Sequence, residues 1–176
     1  MLNLMLGQFS WVDWLIFGSL LLGFLYGVVK GFMREIAEIL ETAGLIFLVL
    51  EFQPRLIRWI SPSAGQSLTP FIPLLSFVAV FAVFAFAISF VDGFLRPILK
   101  TTLLTPLRLL GGALLGAVHG LLFAALLLSG LTYVPVPRIQ ADLSPGHSLF
   151  GPRAMEVVPR VHHLVSQVVV FVRQMR

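Results

Sequence analysis

The chain has no cysteine among its 176 residues. This absence excludes disulfide bonds, thiolate metal sites and cysteine nucleophiles. No H-E-x-x-H, G-x-S-x-G or G-x-x-x-x-G-K sequence occurs either. The signatures of zinc proteases, serine hydrolases and phosphate-binding loops are therefore missing. An intramembrane protease or an ATP-driven pump is disfavoured, and we expect a protein that is not an enzyme and uses no cofactor.

Charged residues are scarce, at 11% of the chain against about 25% in soluble domains. Hydrophobic residues make up 58%. A soluble core of this size would not hide so much apolar surface, so we expect lipid to solvate part of it. The net charge of +4 is spread over loops and tail without a basic run. We therefore expect the lipid bilayer, membrane proteins or a second copy of the chain as partners, and no nucleic acid.

Apolar segments of about 20 residues predict membrane helices. Three segments reach this length, while a fourth is shorter and contains Glu38 and Glu41. If the fourth did not cross, it would form an interfacial or re-entrant helix; we interpret it as crossing because its apolar stretch 44–50 would otherwise be stranded. The predicted fold is an all-α membrane protein with four transmembrane helices, at about 11–29, 36–52, 71–91 and 107–134.

The two ends of this bundle have their own signals. Ser10 and Asp13 have the spacing of a capping box, which predicts the start of the first helix. Residues 135–152 contain four prolines and predict a linker. Residues 153–176 alternate apolar and polar side chains at helical spacing. They predict an amphipathic peripheral helix that lies on the bilayer or packs on a partner.

Basic residues near the spans indicate an orientation. With the N-terminus outside, the cytoplasmic loops hold five of them and the outside holds three. Because cytoplasmic loops carry the excess of Lys and Arg, both termini are predicted to lie outside. The cytoplasmic five are Lys30, Arg34, Arg96, Lys100 and Arg108, and the outer three are Arg55, Arg58 and Arg138.

Two glycine patterns recur in apolar runs, GFLYGVVKG at 23–31 and GALLGAVHG at 112–120. In lipid, glycines four residues apart leave a flat surface on which another helix backbone packs closely. With four crossings, both patterns lie toward the same membrane face, so they can pair antiparallel. We interpret them as packing surfaces within one chain or between chains, with chance as the alternative. The first glycine strip is Gly23, Gly27 and Gly31, and the second glycine strip is Gly112, Gly116 and Gly120.

Five polar residues are candidates for a site in or at the membrane: Lys30, Arg34, Glu38, Glu41 and His119. Arg34 and Glu38 are four residues apart and can pair on one helix. Pairing would help the glutamates enter the membrane edge, whereas an ion path or a docking surface is the functional alternative. For His119 we favour a neutral, hydrogen-bonded imidazole over a proton relay, because no second titratable group is evident at its depth.

The remaining histidines do not indicate a metal site. His162 and His163 are adjacent, so they point to different sides of a helix, and His147 lies in the predicted linker. No cysteine or close carboxylate cluster completes a ligand set around them. We therefore expect no metal.

Several of these motifs together resemble the colicin V production protein family. They are the W-V-D at 11–13, the K-G-F-M-R-E at 30–35 and the glycine pattern that begins the last span, with a weaker echo at 148–152. The chain departs from the family at Arg108, where Asp is usual, and at His119, where Arg is frequent. Some relatives carry a protease domain outside the cytoplasm after the last span, which agrees with an outer C-terminus.

The resemblance implies a small multi-pass protein of the bacterial inner membrane. Its implied role is non-enzymatic, as an accessory in colicin V production or export or in envelope homeostasis. A small oligomeric channel or transporter is the alternative, with a path lined by Glu38, Glu41 or His119.

Overall fold

A computed structural model describes residues 10–63, 68–95, 105–144 and 147–174. Within these ranges the chain is helical and contains no β-strand. Short 3-10 turns at Ser61–Ser63 and Thr69–Phe71 lie between the second and third helices. The helices are α1 Trp11–Lys30, α2 Phe32–Ile60, α3 Ile72–Leu95, α4 Thr105–Leu131, α5 Pro137–Leu143, α6 Gly151–Met155 and α7 Val157–Gln174.

Four helical segments of the described chain are long and apolar enough to cross a membrane. An all-α membrane fold, as predicted from the sequence, is therefore confirmed. Three segments coincide with predicted spans, and the fourth belongs to the tail that we expected to be peripheral. The four are Trp11–Lys30, Thr69–Ala87, Arg108–Leu131 and Gly151–Gln174.

The predicted span 36–52 lies inside α2, which is not one of these four segments. Its longest stretch without charge is 42–50. At about 1.5 Å per residue this stretch covers roughly 14 Å of a hydrocarbon core of about 30 Å. The crossing of 36–52 therefore stays a prediction. The helix also continues beyond the predicted end at residue 52, through Pro54, and reaches Ile60.

A single residue separates α1 from α2. Gly31 has φ 89°, a conformation that side chains of L-residues rarely adopt. Its N–H donates to the Gly27 carbonyl at 2.8 Å, and its own carbonyl accepts from Glu35 N at 3.2 Å. Gly31 thus ends one helix and begins the next, so that the charged first turns of α2 lie directly beside the end of α1.

Helix α4 is the centre of the bundle. On one side, Leu122, Ala125 and Leu126 pack with buried residues of α2 and α3. On the other, Ala124 and Leu128 pack with α1, α5 and α6. Because α4 contributes to both apolar cores, it positions every element that carries a candidate site residue.

The C-terminal helix α7, the tail helix, contacts the bundle through its first turns. Val158 is buried in the same core as α2 and α4, and the ring of His162 stacks on Phe47 at 5.2 Å between centroids. From Gln167 to Gln174 every side chain is exposed. The helix is the most amphipathic of the long helices. Most of its apolar face is therefore available to lipid or to another molecule.

Candidate functional site

The two glycine strips face each other across the contact between α1 and α4. A Cβ atom built on Gly23 would overlap the Gly116 carbonyl oxygen, and one on Gly27 would overlap that of Gly112. The reverse also holds, because a Cβ atom on Gly116 would lie 2.9 Å from the Gly27 Cα. The two backbones are thus in direct contact, which only glycine permits here.

The order of these contacts makes the pairing antiparallel. Moving from Gly23 to Gly27 along α1 moves the contact from Gly116 to Gly112 along α4. At the two ends of the interface, Gly120 meets Ser19 of α1 and Gly112 meets Gly31. All six glycines therefore lie in one interface within the chain, which is one of the two arrangements that the sequence left open.

A cluster of charged residues lies where α1 ends and α2 begins. The Lys30 ammonium group donates to both oxygens of Glu38, at 2.6 and 2.8 Å, and Arg34 Nε donates to Glu38 Oε1 at 3.1 Å. The Lys30 Nζ also lies 5.0 Å from the centre of the Tyr26 ring. Both basic side chains thus converge on one carboxylate, and the turn at Gly31 makes this possible because it folds Lys30 back toward α2.

His119 completes this cluster from α4. Its Nδ1 atom lies 3.4 Å from Glu35 Oε2 and 3.5 Å from Glu38 Oε2, while its Nε2 atom lies 3.1 Å from Thr42 Oγ1. The expectation that no titratable group lies near His119 was wrong. Two carboxylates reach it because α2 packs against α4, and Glu35 lies one turn before Glu38 on the same helix face. We call Lys30, Arg34, Glu35, Glu38 and His119 the polar cluster.

Glu35 is the residue of the polar cluster that sequence reasoning missed. Its side chain is 1% exposed, and within the described part of the chain neither carboxylate oxygen has a hydrogen-bond partner. The signal available was its spacing three residues before Glu38. Glu41, which the sequence included, lies three residues beyond Glu38 and is half-buried. It is not part of the group of close ligand atoms formed by Glu35, Glu38 and His119.

A cavity of about 470 Å³ opens beside the polar cluster. Lys30, Glu35 and His119 provide its polar wall, and the glycine interface provides its floor. The other lining residues are Ser19, Leu22, Gly23, Tyr26, Gly120 and Phe123. The cluster is therefore reachable by a small ligand or by water, although Glu35 itself is buried.

A second polar centre forms around Asp13 at the opposite end of α1. Its carboxylate accepts from Ser10 N at 3.0 Å, as expected of a cap. It also accepts from Ser148 Oγ at 2.7 Å and from the backbone N–H groups of Leu149 and Phe150 at 3.3 and 2.9 Å. Asp13 is 1% exposed. The residue therefore connects the first helix to the chain that follows the bundle, in addition to its predicted role as a cap.

Comparison with known proteins gives one match. A model of the family described as colicin V production protein matches residues 12–152. This segment contains both glycine strips, the polar cluster and the contacts of Asp13 with 148–150. No curated protein and no solved structure matches the chain.

Proposed function

Because the chain belongs to the colicin V production protein family, we propose that this multi-pass membrane protein resides in the bacterial inner membrane and acts there as a non-enzymatic accessory. It assists the production or export of colicin V, or the maintenance of the cell envelope. The family's description supports the first role. In this proposal the glycine interface builds a rigid bundle, and partners bind to the apolar outer faces.

The distribution of charge is the observation that carries this proposal. In the polar cluster Glu35 is buried and Glu38 is largely buried, and Lys30 and Arg34 both pair with Glu38. The outer faces of α1 and α3 instead present large apolar side chains, such as Phe17 and Leu22 on α1 and Phe86 and Phe90 on α3. A bundle with polar groups inside and apolar groups outside suits a bilayer and protein partners within it.

The antiparallel contact of α1 and α4 supports four crossings by the bundle. Two antiparallel spans are separated by an even number of crossings. Because α3 is long and apolar enough to cross, α2 would have to cross as well. Its charges at the α1 end are then compensated inside the bundle. With the N-terminus outside, as the basic residues favour, the chain leaves α4 on the outside again.

Single cysteines test this topology without background, since the chain has no native thiol. In intact spheroplasts we expect an impermeant maleimide to label Ser61→Cys and Ala141→Cys. It should label Arg108→Cys only after the membrane is permeabilised. These three positions are exposed in the structure. Labelling of Ser61→Cys only after permeabilisation would contradict this topology.

Gln174→Cys gives the position of the tail in the same assay. A peripheral tail that stays outside predicts labelling in intact spheroplasts. Labelling only after permeabilisation would mean that the segment Gly151–Gln174, which is long and apolar enough, crosses the membrane. In that case the C-terminus would lie in the cytoplasm.

A channel or transporter is the second candidate, and the cavity beside the polar cluster favours it. The wall formed by Lys30, Glu35 and His119 offers both signs of charge to an ion that enters this cavity. Intramembrane groups of this kind often mark ion pathways. An oligomer would be needed to extend the cavity into a continuous path.

One pair of assays separates the two candidates. Cells that produce colicin V and lack this protein should regain export when the wild-type chain or Glu38→Gln is supplied. Purified wild-type protein in liposomes should give no ion flux above that of empty liposomes. Flux that is present in the wild type and lost in Glu38→Gln, together with loss of export, would contradict the accessory role and support a channel. Glu51→Gln is the matched control, because Glu51 lies on the same helix and forms an exposed ion pair with Arg55, outside the polar cluster.

A further inference from the structure

We propose that Glu35, Glu38 and His119 bind a divalent transition-metal ion, of which Zn²⁺ is the representative. This inference does not depend on the function proposed above. It reverses the expectation, drawn from the sequence, that the chain binds no metal. Two carboxylates and one imidazole are a ligand set that suits zinc, iron and manganese.

The spacing of the three ligand atoms fits a metal ion. Glu35, Glu38 and His119 each offer one donor atom, and these three atoms lie within 4.8 Å of one another. The two separations from Nδ1, 3.4 and 3.5 Å, are longer than a normal N–H···O hydrogen bond. They match the edge of about 3.3–3.6 Å of a tetrahedron with bonds of about 2.0–2.2 Å. Because Glu38 Oε2 also accepts from Lys30 Nζ at 2.6 Å, entry of a metal ion would require that ammonium group to shift toward Glu38 Oε1, from which it lies 2.8 Å.

The Glu35 carboxylate points independently to a cation. It is buried, it faces His119, and neither of its oxygens has a hydrogen-bond partner among the residues that the structure describes. A buried carboxylate without partners is costly, and such a group in a folded protein calls for an ion or a proton at its side. Lys30 and Arg34, the basic side chains at the cluster, both bind Glu38 rather than Glu35.

Neighbouring side chains would orient His119 and Glu38 for binding a metal ion. Thr42 Oγ1 lies 3.1 Å from His119 Nε2. When Nε2–H donates to this hydroxyl, the lone pair of Nδ1 points between the two carboxylates, and a cation there removes the repulsion. Outer hydrogen bonds that orient ligating histidines and carboxylates are typical of metal sites. Lys30 and Arg34 orient Glu38 in the same way.

The cavity supplies what a three-ligand site still needs. Glu35 and His119 both line the space of about 470 Å³ beside the cluster. Water or a small anionic ligand can therefore occupy the fourth position on the metal. Sites with three protein ligands and an open position are those at which zinc exchanges or activates a bound molecule.

Metal binding can be measured directly on the full chain, purified in detergent without a polyhistidine tag. Co²⁺ is the probe, because its visible absorption reports tetrahedral coordination, and Zn²⁺ should displace it. We expect one Co²⁺ per chain. Glu35→Gln and His119→Gln should each weaken binding by more than about tenfold. Glu51→Gln and His163→Gln should leave it unchanged, since both positions lie outside the cluster.

Thr42→Val guards against variants that fail to fold. It retains all three ligands and removes only the hydroxyl beside His119 Nε2. We expect about 10–100-fold weaker binding with an unchanged helical circular dichroism spectrum. The proposal is overturned if the wild type binds no Co²⁺, which would leave a cluster compensated by protons alone. Equal binding by the wild type and Glu35→Gln would overturn it as well.

Discussion

Replacing Gly116 by leucine is expected to separate α1 from α4 and to destroy the folded bundle. Any Cβ atom at this position would lie 2.9 Å from the Gly27 Cα and would overlap the Gly23 carbonyl oxygen. Because two backbones rather than two flexible side chains meet here, neither neighbour can move aside. Overpacking costs about 1–3 kcal/mol in ordinary cores. We expect Gly116→Leu to lower the free energy of unfolding by at least about 3 kcal/mol, which is the upper end of that range.

Thermal unfolding in detergent, followed by circular dichroism, measures this effect. Gly18→Leu is the matched control, because Gly18 lies on α1 and a Cβ atom there meets no atom of the described residues within 4 Å. Its effect should stay within about 0.5 kcal/mol. Equal melting temperatures for Gly116→Leu and Gly18→Leu would show that the two helices are not in contact as described.

Replacing Asp13 by alanine is expected to release the chain after Ser144 from the bundle. The variant loses the buried acceptor of Ser148 Oγ, Leu149 N and Phe150 N. Hydrogen bonds to a charged group contribute about 1.5–3 kcal/mol each and do not add fully. We expect the local opening of this segment to become easier by about 3 kcal/mol, which is more than a hundredfold in the open fraction.

Limited trypsin digestion measures this opening as the rate of cleavage at Arg153. This residue lies three positions beyond the Asp13 contacts. When opening is fast relative to cleavage, the rate follows the open fraction. Asp142→Asn is the control, because Asp142 accepts one exposed hydrogen bond from Trp11 Nε1 at 2.7 Å and lies near the same end of the molecule. Cleavage at Arg153 that is no faster in Asp13→Ala than in Asp142→Asn would exclude the release.

The local features of this fold were predictable from the sequence. The apolar run 11–29 and the capping residue Ser10 place the first helix, and the structure has it at Trp11–Lys30. The end of α2 was not predictable. Pro54 normally interrupts a helix, yet here Gln53 is buried and donates to the Pro73 carbonyl at 3.2 Å. A contact with another helix thus keeps the segment helical where local preference favours a loop.

The candidate site likewise has one part that the sequence predicts and one part that depends on how the helices pack. Arg34 and Glu38 are neighbours on one helix, so spacing alone predicts their pair. The contact of Glu35 with His119 depends on how α2 packs against α4. The contact of Asp13 with Ser148 joins residues 135 positions apart. No periodicity in the sequence reports such distances, and for this reason Glu35 and the second role of Asp13 were missed.

The Asp13 contact also joins the two ends of the segment that matches the family model. The match runs from residue 12 to residue 152. Its two ends touch, since Val12 lies against Gly151 and Asp13 binds Ser148. In this chain the matched segment therefore ends at a fixed position beside the start of α1. The first turns of α7 continue from this anchored position and add Val158 to the core of the bundle.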